Sequence, residues 1–150
     1  MLKGKTIMSA IRVVVCMLLC CFVVCGCGAG INNAAGPFNT LSSDGVAIAY
    51  AAYGRGEVAV VFVHGWSCDS RYWYKQVPYF ARKYRVVTLD VAGHGNSGFG
   101  RKAYTTEAFG QDVAAVLRQL DVKKAILVGH SMCGEVIIYA AKAAPEQSGS

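Results

Sequence analysis

Val58–Val63, Arg85–Leu89 and Ala125–Val128 are short, almost wholly apolar runs, and each stops at a turn rich in glycine or histidine. Unbroken apolarity, rather than alternation, marks strands buried on both faces of a parallel sheet. Parallel neighbours need a crossover of a dozen or more residues, usually helical, and the stretches between the runs read that way. Residues 70–84 suggest a helix that Pro78 splits into two pieces. In the stretch Thr105–Asp121, Thr105 is placed to cap and Glu107 lies in the first turn. Phe109, Val113, Val116, Leu117 and Leu120 share one face of it. Met132–Ala144 is an alanine-rich helix that ends before Pro145. Upstream, Phe38–Ser42 and Val46–Tyr53 flank Ser43-Asp44-Gly45, a hairpin signal, with Val46, Ile48 and Tyr50 on one face. The expected architecture is an α/β domain, a mostly parallel sheet with helices on both sides.

The first thirty residues are a separate problem. Lys3, Lys5 and Arg12 precede the uncharged run Val13–Cys25, and Gly26-Cys27-Gly28-Ala29 follows it. A cationic start, an apolar stretch of this length and a small-residue exit define a secretory signal peptide, and the run is short of the roughly 20 residues a membrane span needs. Val24-Cys25-Gly26-Cys27 resembles the exit of a bacterial lipoprotein signal, which implies cleavage before Cys27 and lipidation of that residue. Residues 1–27 are therefore expected to be a leader, 28–37 a flexible tether and 38–150 the domain. The protein is expected to be exported and held at a membrane by its lipid, or else released as a secreted or periplasmic protein. Five of the seven cysteines lie in the leader, so only Cys68 and Cys133 belong to the domain.

Leader removal leaves 12 of the 15 basic residues against 9 acidic ones. The remaining cations are spread along the sequence, singly or in adjacent pairs, without a basic run, so no nucleic-acid partner is expected. Nothing in the sequence calls for a metal or cofactor.

Chemistry concentrates at the ends of the three apolar runs. His64-Gly65-Trp66 follows the first, and Asp90-Val91-Ala92-Gly93-His94-Gly95-Asn96-Ser97-Gly98 follows the second. Gly129-His130-Ser131-Met132-Cys133-Gly134 joins the third to a helix. A serine in a tight strand-to-helix turn has its hydroxyl pushed out of the sheet at a helix N-terminus, where backbone N–H groups stabilise negative charge. Such a turn requires small residues two before and two after the serine. Gly129 meets this requirement, whereas Cys133 carries a Cβ where glycine is usual.

Taken together and in this order, the three motifs resemble the α/β-hydrolase superfamily, in its serine esterase, lactonase, C–C hydrolase and perhydrolase branch. The resemblance runs from Phe38 to about Pro145, and only Cys133 departs locally. It implies a three-layer α/β-hydrolase fold, here truncated after the nucleophile helix, that hydrolyses an ester-like small molecule by acyl transfer. Ser131 would be the nucleophile, and the backbone N–H groups of Trp66 and Met132 would form the oxyanion hole. His64, His94, His130 and Asp90 would have structural roles, with His64 buttressing the oxyanion loop. In this superfamily the acid and the catalytic histidine come after the serine, and here neither Asp nor His follows Ser131. The chain by itself is therefore expected to lack ordinary turnover, and the last strand to present an uncovered apolar edge that promotes association. A noncatalytic binding or scaffold protein, or the product of a degraded gene, is the alternative. Substrate and oligomeric state are not legible.

Overall fold

In a computed structural model, which describes residues 11–15 and 35–143, the three apolar runs are neighbouring parallel strands. The strands are β1 (Ile11–Val15), β2 (Ala35–Leu41), β3 (Ala47–Tyr53), β4 (Val58–Val63), β5 (Arg85–Leu89) and β6 (Lys124–Gly129). They form one six-stranded sheet in the order β1-β6-β4-β5-β3-β2. The pairs β1/β6, β6/β4 and β4/β5 are parallel; β5/β3 and β3/β2 are antiparallel. The sheet is thus mixed and mostly parallel, as the sequence suggests.

Alternate residues of the central strands feed two cores. Val61, Val63, Val87, Leu89 and Leu127 face α2 (Thr106–Gln119) and α3 (Cys133–Ala143), against Phe109, Val113, Val116, Val136 and Ile137. Val60, Phe62 and Val86 face the opposite side, against Trp73 and Val77 of a 3-10 turn (Ser70–Trp73) and α1 (Gln76–Phe80). Each fully buried Val, Leu or Phe in such a core contributes about 1.5–3 kcal/mol. Thr105 caps α2, its hydroxyl accepting from the Ala108 N–H at 3.1 Å.

Three expectations need correction. Pro78 does not divide the helical stretch; it lies inside α1, in the first turn, where a missing N–H removes no intrahelical bond. The break falls at Tyr74–Lys75 instead. β2 starts at Ala35, inside the expected tether, because Ala35 pairs with Ala52 across an irregularity before Phe38. The outer edge of β6 is not bare: β1, within the expected leader, pairs with it from Ile11↔Ala125 to Val15↔Gly129. A β-branched apolar segment satisfies an edge ladder as readily as it fills a leader. The exit at Cys27 lies outside the described residues. Among the described residues no helix is long and apolar enough to cross a membrane.

A buried polar network staples the hairpin to α2. Asp112, fully buried, accepts from Arg101 Nη2 (2.5 Å) and Nη1 (3.1 Å), from the Ser42 hydroxyl (2.5 Å) and from the Ala92 N–H (3.0 Å). Arg101 also donates through Nε to Asp44 at 2.7 Å.

Candidate active site

Because β4, β5 and β6 run parallel, their C-terminal ends bring the three motifs to one edge of the sheet. Val63 is level with Gly129, and the His130 N–H donates to the Val63 carbonyl at 3.0 Å, extending the β4/β6 ladder past the strand end. The loops that follow therefore start in contact: a Cβ on Gly65 would lie 2.7 Å from His130 Nδ1.

Ser131 follows at once, exposed, with φ of 53°. A left-handed serine is uncommon, and residues held this way cost about 1–3 kcal/mol and gather at functional sites. Two turn bonds fix the reversal, from the Cys133 N–H to the His130 carbonyl (3.0 Å) and from the Gly134 N–H to the Ser131 carbonyl (2.9 Å). The tightness explains Gly129, since a Cβ there would lie 2.1 Å from the Cys133 carbonyl oxygen. Cys133 is tolerated because its side chain points into the core, where it is fully buried. That burial, aided by nearby Cys68, pushes the Cys133 thiol up to about 12, so it is not a thiolate at neutral pH.

The loop after β4 carries Trp66 and Ser67, and Ser67 is also left-handed, with φ of 56°. His64, fully buried, fixes the preceding peptide. The Val91 N–H donates to His64 Nε2 at 3.2 Å, so that nitrogen carries no proton; Nδ1 therefore does, and donates to the Gly65 carbonyl at 2.8 Å. The Cys68 N–H reaches the same carbonyl at 3.2 Å. In a trans peptide the C=O and the next N–H point opposite ways, so two donors on Gly65 set the direction of the Trp66 N–H. Burial lowers the pKa of His64 below 6.5, opposed by its bond to Gly65, which keeps this tautomer neutral.

The sign of the linkage follows. Below pH 6.5 an unfolded His64 takes up a proton that the folded one refuses, so its contribution to stability is complete above 6.5 and is lost as pH falls toward the lower folded value. His64→Asn should flatten the fall in Tm between about pH 7 and about pH 5.5. Parallel Tm–pH curves for the two proteins would contradict this.

The second motif is explained by Asp90. Its buried carboxylate accepts from the Ser70 N–H at 2.6 Å and the Asn96 N–H at 2.8 Å, tying the Trp66 loop to the loop after β5. Ser97 donates to the Asp90 carbonyl at 2.5 Å and accepts from the Ala49 N–H at 2.8 Å. Gly95, at φ of 50°, passes so close that a Cβ would lie 2.2 Å from the carboxylate.

His94 donates to or accepts at no nucleophile: its Nδ1 is 3.1 Å from the Ala92 carbonyl, and its ring packs edge-on to Trp66, with centroids 5.2 Å apart. His130 stacks on Tyr72 at 4.5 Å, its buried Nδ1 without a hydrogen bond. Among the described residues no cluster of three metal-ligating side chains occurs. The sequence reading missed Asp69, whose carboxylate caps the 3-10 turn through the Arg71 N–H at 2.9 Å; an Asp two residues before an Arg was its only signal.

Residues 58–147 match the profile of the alpha/beta hydrolase fold family. A non-heme chloroperoxidase of Streptomyces lividans is 38% identical over 107 residues, covering 69% of this chain and 39% of its own. A bifunctional esterase/perhydrolase of Acinetobacter calcoaceticus is 38% identical over 104 residues, covering 67% and 38%. The solved structure of a thermophilic esterase from Thermogutta terrifontis superposes with a TM-score of 0.66 at 28% identity, covering 72% and 41%. The chain spans about two fifths of the length of these curated relatives. By the motifs, the sheet order and these matches, the chain belongs to the alpha/beta hydrolase fold family.

Proposed function

We propose that Ser131 is the nucleophile of a serine hydrolase that transfers the acyl group of an ester-like small molecule to water. The left-handed backbone of an exposed serine at the β6–α3 turn is the observation that carries this reading. The Ser131 hydroxyl attacks the carbonyl carbon, and the N–H groups of Trp66 and Met132 stabilise the oxyanion. The thermophilic esterase and the bifunctional esterase/perhydrolase among the similar proteins support acyl chemistry. His64 and Asp90 position the Trp66 peptide and its loop.

A serine without a base is a poor nucleophile. With neither Asp nor His after Ser131 in the sequence, and the three histidines engaged elsewhere, the base comes from outside these 150 residues. The 150-residue chain alone then hydrolyses p-nitrophenyl acetate no faster than its Ser131→Ala variant. In the natively expressed protein, Ser131→Ala lowers kcat by at least about 10³. An unchanged kcat would remove Ser131 from this role. A noncatalytic scaffold is the second reading, which a native protein inert toward esters would support.

Export and lipidation at Cys27 belong to the same proposal, supported by the leader-like residues 1–27. Radiolabelled palmitate should enter the native protein and not its Cys27→Ser variant; equal labelling would refute the assignment.

A further inference from the structure

The starts of β4, β5 and β6 share the end of the sheet opposite Ser131, and so does everything immediately before them. Arg55 precedes β4, Arg82 and Lys83 precede β5, Lys123 precedes β6 and Lys124 opens it. Gly54 and Gly56 pack against the backbone of residues 81–85, which sets the exposed Arg55 beside the exposed Arg82 and Lys83. The two carboxylates at this end are already paired, Glu57 with Lys124 and Asp121 with Lys123. Among the described residues, Arg55, Arg82 and Lys83 therefore project positive charge that no paired acid offsets.

We propose that this end of the sheet is a docking surface for an anionic lipid bilayer. One further observation favours lipid over another polyanion. Tyr79, on the last turn of α1 beside this end, is 70% exposed, and tyrosine beside cations suits the headgroup layer. With the cationic end on the bilayer, Ser131, at the opposite end of the sheet, faces solution. The proposal goes beyond the hydrolase reading and does not depend on it; a Ser131→Ala chain should bind vesicles unchanged.

The test is co-sedimentation of the full 150-residue chain with vesicles of phosphatidylcholine alone or of phosphatidylcholine and phosphatidylglycerol at 3:1. The apolar N-terminal residues contribute equally to both, so the ratio of the two affinities isolates the charge. Each cation near an anionic surface is worth about fivefold, so the wild type should prefer the anionic vesicles at least tenfold at low ionic strength. The preference should vanish near 1 M salt, where screening reaches about 3 Å. Arg82→Glu with Lys83→Glu should bring the ratio close to one while leaving binding to phosphatidylcholine and the circular dichroism unchanged. Equal affinity of the wild type for both vesicles, or an unaltered ratio in the variant, would overturn the proposal. Displacement of the chain from anionic vesicles by duplex DNA at equal phosphate concentration would also overturn it, in favour of a nucleic-acid surface.

Discussion

Asp112→Ala is expected to destabilise the protein by about 3–5 kcal/mol, the usual cost of removing one partner from a buried ion pair. Asp112 is the hub of the network that joins the hairpin, the loop after β5 and α2. Its loss leaves the Arg101 guanidinium, whose side chain is 3% exposed, with Asp44 as its remaining carboxylate among the described residues and a 3.4 Å bond to the Ser42 hydroxyl. The Ser42 hydroxyl and the Ala92 N–H lose their acceptor at the same time. Against a typical total of about 5–15 kcal/mol, that loss leaves little margin. Urea unfolding followed by circular dichroism measures it. Replacing both charges, Arg101→Met with Asp112→Leu, should recover part of the deficit, since the penalty comes from the unpaired charge. A cost under about 1 kcal/mol for the single variant would show that water reaches this network.

Gly129→Ala should be as damaging to structure and more damaging to the site. A methyl group 2.1 Å from a backbone oxygen cannot be relieved by rotating a side chain, so the β6–α3 turn has to open. Opening it moves Ser131 off its left-handed conformation and separates it from the loop of Trp66. The expected result is a loss above about 4 kcal/mol, in the range reserved for backbone clashes and strain at special conformations, with no reactive serine in whatever folds. Native stability and an unaltered Ser131 in this variant would mean that the turn is looser than described.

Much of the fold was legible because it rests on local pattern. The runs Val58–Val63 and Arg85–Leu89 are strands with the expected bounds, and Thr105 caps α2 as its sequence suggests. The motifs were legible for a related reason: glycine, aspartate and serine at fixed spacing satisfy backbone groups within one turn, as Asp90, Gly95 and Ser97 do. What was not legible joins residues far apart in sequence. Ser42, Asp44, Arg101 and Asp112 show no periodicity, and only the packing of the hairpin against α2 makes them one network. The cationic end is similar. Lys83 and Lys124 look like scattered surface charges until the strand–helix connections return them to the end of the sheet where the β3–β4 loop holds Arg55. Ile11–Val15 fits a leader and an edge strand equally well, so its pairing with β6 was not legible.

The account stands or falls on the reactivity of one hydroxyl. Treatment of the natively expressed protein with a fluorophosphonate, followed by mass spectrometry of its peptides, should find a single adduct on Ser131 and none in the Ser131→Ala variant. An adduct retained by that variant, or a wild-type protein unmodified at Ser131, would contradict it.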